Sequence, residues 1–307
     1  VQVTNINNIE EYFAENRQPA ANEIQTIELR TNYQLYHQYK EKDGLQVYHE
    51  YNRFKRQNDF VSASSDDAFF GGIVEVDTTI RDRSKIVYRQ HEAGVKGDFG
   101  KTFYNFYYKL KDIDYDYRFL DGDSVGVDTA PLENYVGFNL RFGNDSLSYI
   151  NAYGEYLLDG NFKLGGSLKN SWVAVEAYSA LTQPSFIQQA YLGRYDLWVN
   201  NFDDPITTHL KGKFSFSRGP ITIQPKASYT LLSNYIYFTE TDLDASRSLE
   251  PLQASSDISL ITGEVELSVN FLKYLNFNTE LIYTNVAGGS ADVIRIPDIF
   301  ANSQVYF

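Results

Sequence analysis

From Ile27 onward the odd positions read Ile27, Leu29, Thr31, Tyr33, Leu35, His37 and Tyr39, and the even positions between them Glu28, Arg30, Asn32, Gln34, Tyr36, Gln38 and Lys40. A strand turns successive side chains to opposite faces, so one face here is apolar and aromatic and the other polar and charged. Alternation of this length suits a sheet with lipid on one side and water on the other. The pattern recurs. Tyr104, Phe106, Tyr108 and Leu110 oppose Lys101, Asn105, Lys109 and Lys111, and Val136, Phe138, Leu140 and Phe142 oppose Glu133, Asn139 and Arg141. Ile261, Val265, Leu267 and Val269 oppose Thr262, Glu264, Glu266 and Ser268, and Leu275, Phe277, Leu281 and Tyr283 oppose Asn276, Asn278, Glu280 and Thr284. An Arg or Lys on a lipid face at mid-membrane costs about 2–4 kcal/mol, and the alternation keeps most charges off that face.

The pattern predicts about fourteen strands, near 24–40, 44–54, 69–80, 84–96, 101–112, 133–143, 146–158, 161–168, 172–182, 206–217, 220–236, 255–271, 274–287 and 298–307. No helical periodicity of useful length interrupts them. The expectation is an all-β fold, an antiparallel transmembrane β-barrel over residues 23–307, preceded by a polar tail over 1–22 on the periplasmic side. Tight reversals are expected at Asn144-Asp145, Gly219-Pro220 and Lys273, and long connections near 113–131, 183–205, 237–254 and 287–296. Short turns at one rim and long loops at the other are the habit of bacterial barrels. From residue 113 the long connections share one parity, but 55–68 is long where a short turn is due, which points to a miscounted strand in the first third.

Composition adds three constraints. There is no run of about 18 apolar residues, so no transmembrane helix is expected. Aromatics make up 16% of the chain, with 25 Tyr and 21 Phe, an excess that interfacial girdles would use. The absence of cysteine excludes disulfides and thiolate chemistry, and a net charge of -13 argues against nucleic acid as a partner.

Several segments resemble the putative porin family of Bacteroidota, which are outer-membrane barrels: Trp198-Val-Asn-Asn-Phe-Asp-Asp-Pro205, Tyr229-Thr-Leu-Leu-Ser-Asn-Tyr-Ile-Tyr-Phe238, Glu280-Leu-Ile-Tyr-Thr-Asn-Val286 and Val293-Ile-Arg-Ile-Pro-Asp-Ile-Phe-Ala-Asn-Ser-Gln-Val-Tyr-Phe307. Weaker similarity, as in Tyr51-Asn-Arg-Phe-Lys-Arg-Gln-Asn-Asp-Phe60, extends over most of the chain. The resemblance implies a pore and brings no catalytic residues. Chains of that kind continue past the Asn-Ser-Gln segment, so the expectation is that closing strands follow Phe307 and that the full barrel has about 16 to 18 strands. A terminal aromatic after alternating residues is, however, also how a finished outer-membrane barrel ends. An even number returns both termini to the periplasm.

The candidate pore-lining residues are Arg30, Lys109, Lys111, Arg141, Lys211, Lys213, Glu264, Glu266 and Glu280, with Glu28, Lys40, Arg89, Lys101 and Lys226 on the same predicted face. Opposed basic and acidic groups would set solute selectivity, or merely brace a wet wall as ion pairs. Asp112, Asp114, Asp116, Asp121, Asp123 and Asp128 offer hard oxygen ligands, but Tyr117 stands where a calcium loop needs Gly, and a solvated acidic loop is the simpler reading. His37 and His49 are expected on adjacent strands near a turn, without a metal. No catalytic residue, cofactor or metal is expected. The function expected is passive diffusion of small hydrophilic solutes across the outer membrane, with the 183–205 connection folding inward to narrow the path. The alternative is an occluded barrel acting as a scaffold for envelope protein partners.

Overall fold

The computed structural model describes residues 2–3, 24–41, 44–62, 80–119, 126–129, 131–143, 148–192, 197–243, 246–272 and 275–306. A single antiparallel sheet dominates it. The path begins with β1 (Gln2–Val3), β2 (Ile24–Lys40), β3 (Gln46–Ser62), β4 (Ile80–Phe99) and β5 (Thr102–Phe119), to which the short β6 (Gly126–Thr129) adds. It continues through β7 (Leu132–Phe142), β8 (Tyr149–Leu157), β9 (Phe162–Lys169) and β10 (Val173–Leu181). Between β10 and β13 (Ile206–Phe214) lie the one-turn helix α1 (Phe186–Gln189) and a small hairpin, β11 (Ala190–Leu192) with β12 (Leu197–Val199). After β14 (Phe216–Arg218) and β15 (Ile221–Ser233), a second hairpin, β16 (Ile236–Leu243) with β17 (Ser246–Gln253), precedes β18 (Ile258–Leu272), β19 (Leu275–Ala287) and β20 (Ile299–Tyr306). Among the described residues, β20 has β19 as its one partner and does not pair with β2.

The number of strands on this path, fourteen, agrees with the expectation through two differences that offset. No strand lies between β3 and β4, where the one expected at 69–80 would fall: β3 pairs directly with β4 along its whole length, Gln46 opposite Lys96 through Ser62 opposite Ile80. Residues 69–79 lie outside the described residues. In exchange Gln2–Val3, expected to be tail, pairs with Thr26 and Ile27 of β2. Removing one strand repairs the parity. The links after β2, β4, β7, β9, β13 and β18 are all short and share one rim, and all the long ones share the other, with 158–161 the single short link there. Gly100 at φ +59° and Gly219 at φ +57° sit in the short-rim turns, where a left-handed backbone favours a residue without Cβ.

Register then divides every strand into two faces. Ile27 to Tyr39 of β2, Val47 to Tyr51 of β3, Tyr104 to Leu110 of β5, Val136 to Phe142 of β7 and Val265 to Val269 of β18 contribute alternate residues to one apolar face. That face is exposed: Leu35 keeps 52% of its surface, Phe106 52% and Leu281 50%. His37 lies opposite His49 there, and the rings of His37, His49 and His91 stack at 6.2 and 5.5 Å. Val87 and Asp116 are buried on the outer face among the long strands β3 to β5, and most other buried side chains are elsewhere. Ile113, Tyr117, Leu157 and Ile258 lie on the polar face, against connections from the long rim that carry buried Trp198 and Ile236.

Strands β2 to β5 are 17, 17, 20 and 18 residues long. A tilted strand crosses a bilayer in about 9–11 residues, so this part of the wall continues past the apolar belt. Its outer surface changes character there. Above Tyr51 and Leu110 come Arg53, Lys55 and Asp59 of β3, Arg83, Lys85 and Arg89 of β4, and Asp112, Asp114 and Asp116 of β5. Arg83 grips Asp59 through two bonds of 2.6 and 3.0 Å, Arg89 meets Asp112 at 2.7 Å, and Lys85 lies 3.6 Å from Asp116. This corrects two expectations. Asp112, Asp114 and Asp116 stand on a strand beside basic partners and do not form a loop; Asp121 and Asp123 lie outside the described residues. Arg89 faces outward, because its odd position in β4 shares the face of Val95 and Val87.

Candidate functional site

The inner face is identified by what packs on it. The chain between β10 and β13 leaves the long rim and reaches back across the polar face to β5. There Phe186 stacks on Tyr115 at 4.5 Å and lies 5.4 Å from Tyr117, and Tyr191 meets Tyr117 edge-on at 5.8 Å. Tyr115 and Tyr117 alternate with the outward Asp114 and Asp116, so the segment covers the side opposite the apolar belt. Trp198 anchors it by donating its Nε1 hydrogen to the Ile187 carbonyl at 2.7 Å and stacking on Tyr191 at 4.7 Å. Asn161 of the 158–161 link holds Asp204 at 2.8 Å, and Gln253 of the second hairpin donates to the Asp203 carbonyl at 2.8 Å. The inward-folding connection expected from the sequence is therefore present.

All nine candidate residues fall on this inner face, but in four places. Lys211 and Lys213 of β13, with Glu264 and Glu266 of β18 and Glu280 of β19, lie on strands that neighbour β15 or one another. Lys213 sits opposite Lys226, Lys226 opposite Glu264, and Glu266 opposite Glu280. Lys226 donates to Glu264 and, at 2.5 Å, to Glu266, while one oxygen each of Glu264, Glu266 and Glu280 lies within 4.8 Å of the others. Two of these three carboxylates share the Lys226 ammonium, which leaves a local excess of negative charge on β18 and β19. The wall grades from basic on β13 to acidic on β19, a field that runs across it.

The second group is on β5 to β8. Lys109 pairs with Glu155 and stands 4.3 Å from the centre of the Tyr135 ring. Lys111 meets Glu133 at 3.1 Å. Phenols complete the pairs: Tyr107 donates to Glu155 at 2.9 Å and Tyr135 to Glu133 at 2.7 Å. Arg141 is close to the short rim, with its guanidinium 4.3 Å from the Tyr149 ring centre. Arg30 is separate from all of these. It lies high on β2, where Glu28 accepts from both Arg30 and Arg56 at 2.6 Å.

Glu155, Lys163 and Tyr107 were not singled out by sequence, although Glu155 and Lys163 have the parity of the polar face on β8 and β9. Tyr107 has the parity of Asn105 and Lys109 on the polar face, but an aromatic residue there gives no signal of an interior role. Its partner accommodates it: a Cβ on Gly137 would overlap the Tyr107 ring, so the glycine makes room for an inward tyrosine.

A long antiparallel sheet with an exposed apolar belt, a charged inner face, short turns at one rim and long connections at the other defines an outer-membrane β-barrel protein. The comparisons agree. The chain belongs to the family described as "Putative porin", whose sequence profile matches residues 2–307. A comparison with curated proteins returned no match. Among solved structures, the copper transporter OprC superposes with a TM-score of 0.66 at 9% identity, over 92% of this chain and 51% of its own. The ferric enterobactin receptor PfeA of Pseudomonas aeruginosa gives 0.58 at 10%, over 85% and 44%. The siderophore receptor PirA of Acinetobacter baumannii gives 0.54 at 10%, over 84% and 44%. This chain thus spans about half the length of those structures, and at such identities the likeness is one of fold.

Proposed function

We propose that this chain forms the wall of a water-filled outer-membrane channel through which small hydrophilic solutes diffuse passively. The observation that carries the proposal is the sorting of charge by register. Lys109, Lys111, Arg141, Lys211, Lys213, Glu264, Glu266 and Glu280 all face the interior, and the opposite face at the same level is apolar. Such a face needs water, and opposed basic and acidic groups would bias the ions and solutes that pass. The segment from 182 to 205 narrows the path from the long rim. No chemical step, energy source or cofactor enters this reading; the partners are membrane lipid outside and solute inside.

With the short turns periplasmic, β2 starts at the outer rim, where the long connections lie. On this reading the chain enters β2 from the outer rim, opposite to the periplasmic side expected from the sequence, and the charged upper wall of β3 to β5 lies outside the cell.

A second reading has support in the packing of α1, its hairpin and the β16–β17 hairpin over the inner face: a barrel blocked on the outside and used as a scaffold for envelope proteins. Single-channel recording of the full-length protein in planar bilayers separates the two. Stable steps that scale with salt are expected. Silence from correctly folded protein refutes passive diffusion and leaves the scaffold.

A further inference from the structure

We propose that the cavity between the inner wall of β5 to β9 and the 182–189 segment is a binding site for a neutral polyhydroxylated solute, a saccharide in chemical class. The proposal rests on the reading of the inner face as a solute path and adds the kind of solute. The cavity has a volume of about 500 Å³, enough for one or two sugar rings. Its wall carries Lys111, Lys163, Glu133 and Glu155, and each carboxylate already holds a lysine, Lys111 on Glu133 and Lys109 on Glu155.

The state of the two carboxylates points further. Lys111 and Tyr135 both donate to Oε2 of Glu133, and Lys109 and Tyr107 both donate to Oε2 of Glu155. These four bonds fix each carboxylate and leave its Oε1 as an acceptor for a ligand hydroxyl. A cation would compete with lysines already in place. Aromatic faces complete the chemistry: Tyr115, Tyr135 and Phe186 line the same cavity, and a sugar's C–H face packs on a ring. Gln183 and Gln189 bring amides from the covering segment. Fixed acceptors, amides and rings suit hydroxyls on an apolar frame.

The test is calorimetric titration of the full-length protein, in a detergent without a sugar headgroup, with maltose, inorganic phosphate and choline as probes. Trp198 emission is followed in parallel, because Trp198 is bonded to Ile187 beside the ring of Phe186. Saturable heat and an emission change are expected with maltose, and no saturable heat with phosphate or choline. Phe186→Leu should weaken maltose binding roughly 2- to 10-fold through loss of ring stacking. Gln183→Ala should also weaken it, and because Gln183 is exposed this variant remains informative if Phe186→Leu fails to fold. No saturable heat with maltose, saturable heat with phosphate or choline instead, or unchanged affinity in both variants overturns the proposal. Maltose binding by a protein silent in bilayers would remove passive diffusion and keep the site; conductance without maltose binding would do the reverse.

Discussion

Leu281 to Arg is the substitution that most directly tests the placement of this sheet in a membrane. Leu281 stands at the middle of β19, on the outward face, opposite Val265 of β18 on one side and Ala301 of β20 on the other. Half of its surface is exposed, and no charged residue is its direct cross-strand partner. An arginine there meets hydrocarbon on its open side. The cost at the midplane of an outer-membrane barrel is about 2–4 kcal/mol, a drop of roughly 30- to 700-fold in the folding equilibrium. Asn278→Arg, three positions away on the inward face between Ser268 and Gln304, should cost under about 1 kcal/mol because its head stays in water. The assay is reversible urea unfolding of the full-length protein in lipid vesicles, followed by tryptophan emission and by protection from protease. If the two variants cost the same, or Asn278→Arg costs more, the apolar face does not meet lipid and the membrane reading fails.

Three other perturbations probe separate parts of the wall. Lys226→Met removes the one ammonium bonded to Glu264 and Glu266, leaving carboxylate oxygens within 4.8 Å that repel by roughly 3.5 kcal/mol per charged pair at an effective dielectric of about 20. The reversal potential in a salt gradient should shift toward cations, and an unchanged potential would remove this cluster from the ion path. Gly137→Val drives a side chain into the Tyr107 ring and should lower stability by about 1–3 kcal/mol, whereas Gly212→Ala, with open space around its Cβ, should be near neutral in the same unfolding assay. The Arg83–Asp59 pair lies beyond the belt, in water, so a double-mutant cycle should give less than about 1 kcal/mol, falling as salt rises. A coupling above about 3 kcal/mol that ignores salt would place that part of β3 and β4 inside the bilayer.

Much of this architecture was legible because a strand's alternation is local. Val136 and Phe138 oppose Asn139 and Arg141 whatever β7 pairs with, and β2 emerged at 24–40 as expected. The errors arose where alternation no longer reports environment. On β4 and β5 the outer face turns from lipid to water part-way up, so Arg89 reads as an inner residue and Asp112 to Asp116 read as a loop. The acids lie on a strand because β4 holds Lys85 and Arg89 beside them. The strand expected at 69–80 falls, but for Ile80, outside the described residues, and no strand lies between β3 and β4, which pair directly.

The amino-acid sequence by itself determined the two faces, the short turn at Gly219 and the charges available to the interior. These follow from backbone geometry and from the cost of placing a charge in hydrocarbon. Only the tertiary structure decided which charges meet. Lys226 lies between residues 264 and 266 because β15 is the neighbour of β18, a pairing across 38 to 40 positions of chain. Likewise Phe186 reaches Tyr115 across the inner face, closing a cavity that no single strand contains. Register and loop closure are non-local, and the balance of charge and space at the site is set by them.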